Sequence, residues 1–185
     1  MGKLTVTELP LRGAYLIEPN TSEDHRGSFS RVFCKEELSD IFDGNIAQIN
    51  HSITHQKGSI RGLHFQYPPN AEIKMVKCIQ GSAFDVIVDI REGSPTFLHS
   101  YSVVLSSANM RTIYIPKGFA HGFQTLEEDT QLLYMHSEVY TPDNEGALNV
   151  LDPLLAIKWP LPLGDCSERD THHPMINKDF QGVKV

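Results

Sequence analysis

Residues 61–66 read Arg-Gly-Leu-His-Phe-Gln, and the histidine of that run, His64, has Arg61, Gln66 and Lys74 near it in sequence. An imidazole titrates near neutrality, so it can take a proton and return it. If the run is a strand, Leu63 and Phe65 point to one face and His64 and Gln66 to the other. A histidine on a polar, cation-lined face points to acid–base chemistry more than to a buried structural hydrogen bond. A metal cage fits less well. Divalent ions want three or four converging ligands, and no second histidine stands beside His64. The expected metal set is therefore none.

Other residues could complete such a site. A base needs its second ring nitrogen held so that the correct tautomer faces the substrate, and Asp170 is the candidate partner of His64. Asp85 is the candidate partner of His121, or it faces solvent. Tyr134 and Tyr140 lie six apart, which on one strand puts both on the same face. Either could deliver a proton from the side opposite a histidine. Arg26, Arg61, Lys74 and Arg169 could converge on a diphosphate, for which the arginine fork is suited. The chain has no Gly-rich phosphate loop, so side chains would have to hold any nucleotide. The run Gln48-Ile49-Asn50-His51-Ser52 is a polar cluster with no generic mechanism of its own.

These side chains need a scaffold, and the pattern supplies strands. In Phe84–Ile90, Phe84, Val86, Val88 and Ile90 alternate with Asp85, Ile87 and Asp89. Lys74–Ile79, Ser102–Leu105, Arg111–Ile115 and Leu132–His136 are further strand candidates. Turn residues separate them at Gln80-Gly81, Glu92-Gly93-Ser94-Pro95, Ser107-Ala108-Asn109, Pro116-Lys117-Gly118 and Pro142-Asp143-Asn144. Many short strands at this spacing make an all-β sandwich or barrel. Lys35–Phe42 reads as a short helix, and the Pro-, Asp- and His-rich C-terminal third as loops with one short helix.

Bulk properties exclude several classes. At 185 residues with 40% hydrophobic content, the chain suits one domain, 1–185, with a sizeable core. A net charge of −7 and a pI near 5.7 argue against a nucleic-acid binder. They leave room for an anionic small ligand held by a local Arg/Lys cluster. Three widely spaced cysteines, Cys34, Cys78 and Cys166, read as reduced thiols. No signal-like segment or bilayer-length apolar run is visible, so the expectation is a cytoplasmic protein with no membrane partner.

Several ordered motifs carry a family resemblance. They include Asp24-x-Arg26-Gly27, Asn50-His51-Ser52, Arg61–Gln66, Lys74–Cys78, Phe84–Asp89, Ser94-Pro95-Thr96 and Ile115–Phe123. Tyr134, Tyr140, Trp159-Pro160 and Asp170 also fall in place. From about Ile17 to Pro174 the chain resembles the dTDP-4-dehydrorhamnose 3,5-epimerase family of cupins. Metal cupins carry a His-x-His pair at the first motif; here the second position is Gln66. The resemblance implies a cofactor-free, cupin-type jelly-roll homodimer acting on a nucleotide-diphosphate 4-keto-6-deoxy sugar. It implies that His64, paired with Asp170, is the base, that Lys74 steadies the enolate oxygen, and that Tyr134 reprotonates from the opposite face. For substrate binding it implies Arg26, Phe29, Gln48, Asn50, Arg61, His121, Tyr140 and Arg169, with the segment of Arg26 and Phe29 reaching the partner's pocket. The chain departs from the family pattern at Arg31, Ile49 and Met135. The change at Met135, next to Tyr134, leaves inversion at C3 alone as one expectation. A 3,4-ketoisomerase and a non-catalytic sugar-binding cupin are the competing readings, with a metal-dependent oxygenase behind them.

Overall fold

The structure, a computed structural model, describes residues 3–185. Thirteen strands and one short helix follow in chain order. They are β1 (Leu4–Glu8), β2 (Tyr15–Pro19), β3 (Ser22–Asp24), β4 (Gly27–Phe29), β5 (Gln48–Thr54), β6 (Ile60–Gln66) and β7 (Lys74–Gln80). Then come β8 (Ser82–Asp89), β9 (Ser100–Ser106), β10 (Thr112–Ile115), β11 (Phe119–Thr125), β12 (Thr130–His136), β13 (Glu145–Ala147) and α1 (Glu168–His172). One sheet runs β1-β2-β10-β7-β12-β5 and the second β13-β6-β11-β8-β9, while β3 and β4 form a separate hairpin. All the strand pairs are antiparallel. This is a jelly-roll in which two sheets face each other.

Alternation along each strand sorts side chains into three apolar layers. Val76, Cys78, Ile113 and Leu132 of the first sheet meet Ala83, Ile87, Leu105 and Phe123 of the second between the sheets. The outer face of the second sheet carries Leu63, Phe65, Val86, Val88 and Ala120. It is covered by Leu148, Val150, Leu155 and Val183, with Trp159, Ile176 and Phe180 from the C-terminal third. The outer face of the first sheet carries Ile17, Met75, Tyr114 and Met135 under Leu38 and Phe42. The C-terminal loops are thus a lid on one sheet. The strand Phe84–Ile90, read as alternating, is buried on nearly every residue because both of its faces are covered.

Two expectations change. Lys35–Phe42 is not a helix. Leu38 N–H donates to Cys34 and Phe42 N–H to Leu38, but the bonds between them do not continue the ladder. The segment turns to drop Leu38 and Phe42 onto the sheet, and that packing replaces helical hydrogen bonds. The strand carrying Tyr134 ends at His136, so Tyr140 lies beyond it and is half exposed. The short C-terminal helix is found as α1.

The sheets also explain a close approach. A Cβ on Gly62 would lie 2.6 Å from the Gly122 Cα and the His121 carbonyl oxygen, and one on Gly122 would lie 2.6 Å from the Arg61 carbonyl oxygen. Only hydrogen fits at either position, and Gly62 has φ +113° besides. The glycines bring β6 and β11 together where they present His64 and His121.

Lys77, on the outer face of β7, is buried, and its ammonium donates to the Met110 carbonyl oxygen. Burial pushes its pKa down to about 8. Between that value and the ordinary one the unfolded chain binds more protons than the folded chain, so the burial penalty fades as pH rises. Lys77→Met is expected to raise the denaturant midpoint at pH 7, and its advantage over wild type should shrink between about pH 8 and pH 10.5, measured by urea unfolding across that range.

Candidate active site

A cavity of about 830 Å³ opens between the sheets, the right scale for a sugar nucleotide. His64 enters it from β6 and His121 from the adjacent β11, where the two are directly paired in register. Tyr134 and His136 enter from β12 on the facing sheet, with Lys74 paired to His136 across β7. Opposite walls therefore carry the imidazole of His64 and the phenol of Tyr134.

His64 Nε2 lies 2.7 Å from Asp170 Oδ1, a carboxylate nine-tenths buried on α1. The other carboxylate oxygen accepts the Gly62 N–H at 3.3 Å. Ser167 caps the helix by accepting the Asp170 N–H, which fixes Asp170 below His64. Burial alone would raise the Asp170 pKa. The hydrogen bond and charge of His64, the Gly62 amide and Ser167 outweigh it and hold the carboxyl below its usual range. An ionised carboxylate only accepts, so the proton of neutral His64 sits on Nε2 and Nδ1 is the basic nitrogen. Leu63 and Phe65 point the other way into the apolar layer, as the alternation predicts.

His121 Nε2 donates to Asp85 Oδ2 at 2.9 Å, both buried, so the second dyad is present and Asp85 does not face solvent. The His121 ring meets Tyr134 edge to face, with centroids 6.3 Å apart. Tyr134 is partly buried and its hydroxyl lies 3.1 Å from Ser52 Oγ on β5. Burial drives its pKa well above the ordinary phenol value, more than the Ser52 hydrogen bond lowers it. The phenol is therefore protonated at neutral pH and can act as a donor. Lys74 Nζ lies 3.1 Å from Glu72 Oε1 and 3.5 Å from the His64 carbonyl oxygen.

Gln48, Asn50, Arg61, Tyr140 and Arg169 also line the cavity. The cations do not converge, however: Lys74 is turned to Glu72 and Arg169 to Glu145 at the rim, where Tyr140 Oη donates to the same glutamate at 2.8 Å. Arg26 and Phe29 do not line this chain's cavity; they sit exposed on the β3–β4 hairpin, Arg26 paired with Asp24. Gln66 is a tether. Its amide donates to Asn70 and Val139 carbonyls and its oxygen accepts from Thr141 N–H. None of Arg31, Ile49 and Met135 lines the cavity. Met135 points into the outer apolar layer, away from Tyr134, so it cannot press on a bound ring.

Four residues escaped the sequence reading: Ser52, Glu72, His136 and His173. Ser52 lay in a polar run with no stated role. His136 is two residues from Tyr134, and Glu72 two from Lys74, a spacing that does put side chains on one face. His173 brings a ligand atom within 4.8 Å of one on His64 and one on Asp170. Its Nε2 is buried with no partner, and burial lowers its pKa. A cation held by these three would have to displace the proton of the His64–Asp170 bond, so it would silence His64 as a base.

The family model described as dTDP-4-dehydrorhamnose 3,5-epimerase matches residues 8–178. The chain belongs to that family. It is 40% identical over 175 residues to the dTDP-4-dehydrorhamnose 3,5-epimerase of Sinorhizobium fredii, covering 92% of this chain and 90% of that one. The crystal structure of the Bacillus anthracis enzyme, with TDP and pyrophosphate bound, superposes with a TM-score of 0.90 at 38% identity, covering 94% of this chain and 99% of the other. The Legionella pneumophila enzyme, solved with dTDP-4-keto-L-rhamnose, gives 0.90 at 34% identity, covering 98% and 99%.

The dyad makes a specific prediction. Asp170→Asn keeps the shape but lets the amide donate to Nε2, which reverses the tautomer of His64. Turnover should fall by about a hundredfold or more while KM changes little. Wild-type kcat in the variant, or a loss confined to KM, would remove Asp170 from the role.

Proposed function

We propose that this chain is an epimerase that inverts C3 and C5 of a dTDP-linked 4-keto-6-deoxy hexose through an enolate. The observation that carries this reading is a carboxylate-held imidazole and a protonated phenol on opposite walls of one cavity. A ketone at C4 acidifies the hydrogens on both neighbouring carbons. Nδ1 of His64 removes one of them, and the developing charge on the C4 oxygen is met by the Lys74 ammonium. Tyr134 returns a proton from the other face, which inverts the centre. The ketone supplies the acidity, so the reaction calls for no cofactor. With Met135 turned away from the cavity, the motive for inversion at C3 alone is gone, and both carbons are assigned.

Binding follows the same logic. Arg61 meets the diphosphate, joined by Arg169 once the phosphate draws it from Glu145; Gln48, Asn50 and Tyr140 meet the nucleoside end; and His121, held by Asp85, lies against the sugar. Arg26 and Phe29 are exposed on their hairpin, as expected of residues that serve the pocket of a second copy, so the working unit is a homodimer of single-domain chains, residues 1–185. Among the described residues no helix is long and apolar enough to cross a membrane, and the assigned compartment is the cytoplasm.

The test is incubation with dTDP-4-keto-6-deoxyglucose in heavy water, followed by NMR. Wild type is expected to yield the 4-keto-rhamnose epimer with deuterium at C3 and C5, and His64→Asn should lose exchange at both carbons by at least about a hundredfold while remaining folded. Exchange without any epimer, or a 3-keto product, would overturn the assignment. Sedimentation should show a dimer, and Arg26→Ala should raise KM with the dimer intact; a fully active monomer would contradict the shared site.

A further inference from the structure

Lys74 and His136 are direct cross-strand partners on the inner face of β7 and β12. An ammonium and an imidazole N–H facing each other on one face need an acceptor between them. Here Glu72, in the loop just before β7, does so. Its Oε1 lies 3.1 Å from Lys74 Nζ and its Oε2 2.7 Å from His136 Nδ1. All three side chains are about nine-tenths buried and line the cavity. Burial alone would raise the Glu72 pKa, but the two donors hold it below the usual range, so it remains a carboxylate. The His136 ring in turn stacks on Tyr134, with centroids 6.1 Å apart and planes 20° from parallel. His136 thus donates its Nδ1 proton to Glu72, and its Nε2 is buried without a partner.

We propose that Glu72 is a positioning residue for the epimerisation, a carboxylate that pins the Lys74 ammonium over the reacting ketone and is itself fixed by His136. The bridge ties the cation to the wall that carries Tyr134, so the two groups that meet the enolate are set by one rigid unit. Ammonium on a free four-carbon stem would sample many rotamers, and holding it before the charge develops is what makes it useful in the transition state. The inference rests on Lys74 meeting the C4 oxygen.

The experiment compares Glu72→Gln, His136→Phe and Lys74→Met in steady-state turnover and in deuterium wash-in. Glutamine keeps the shape but replaces an ionised acceptor by a neutral one, which roughly halves the strength of such a bond. Glu72→Gln should lower kcat about fivefold, leave KM within about twofold, and reduce wash-in in the same proportion, with the thermal midpoint little changed. His136→Phe keeps a ring on Tyr134 but removes the donor to Glu72, and should show a smaller loss of the same kind. In the Lys74→Met background, Glu72→Gln should add almost nothing, because it acts through the lysine. Wild-type kcat in Glu72→Gln, a loss confined to KM, or an undiminished effect in the Lys74→Met background would overturn the proposal. If Lys74→Met itself keeps full wash-in, the role given to Lys74 fails; if Lys74→Met is dead and Glu72→Gln is unaffected, only the role of Glu72 fails.

Discussion

A carboxylate can stay charged inside a protein only where donors face it, and the interior of this jelly-roll is organised around that constraint. Three inward-facing histidines each donate to a buried acid: His64 to Asp170, His121 to Asp85 and His136 to Glu72. Each pairing fixes a tautomer and a ring orientation. One Asp85 oxygen has no partner, which leaves a buried acceptor beside the cavity. The apolar layers between and outside the sheets serve this interior. They hold the two walls at a fixed separation.

The division of labour between the sheets follows from connectivity. The base comes from β6 of one sheet and its acid partner from α1, more than a hundred residues later, folded back over the outer layer with the C-terminal loops. The phenol and the lysine come from neighbouring strands of the other sheet. Inversion of a carbon centre needs proton removal on one face and delivery on the other, and a two-sheet fold supplies opposed faces without any moving part. The Gly62–Gly122 contact lets β6 and β11 close up under the histidines.

Much of this was legible in the residues, and the gaps have physical reasons. Period-2 alternation located the central strands and put His64 and its apolar neighbours on opposite faces. It could not pair His64 with Asp170, because the contact joins residues 106 apart and only tertiary folding creates it; the family resemblance supplied that pairing. The helix expected at Lys35–Phe42 failed because Leu38 and Phe42 gain more by packing on the sheet than by continuing a ladder. Tyr140 lies beyond the strand that carries Tyr134, because that strand stops at His136 and period-2 alternation ends with it. Met135, though next to Tyr134, points into the outer apolar layer, because adjacent residues on a strand point apart. Glu72 and His136 lie two residues from Lys74 and Tyr134, a spacing that puts side chains on one face, but neither fits a motif.

The central claim is that His64 and Tyr134 act on opposite faces of the same carbon, and Tyr134→Phe in heavy water measures it most directly. The variant keeps the ring and its contacts with His121 and His136 but loses the acidic proton. Abstraction and return by His64 on one face need no phenol, so deuterium should still enter the substrate while epimer formation falls by at least about tenfold. Equal loss of wash-in and epimer, or an unchanged rate of epimer formation, would contradict the account.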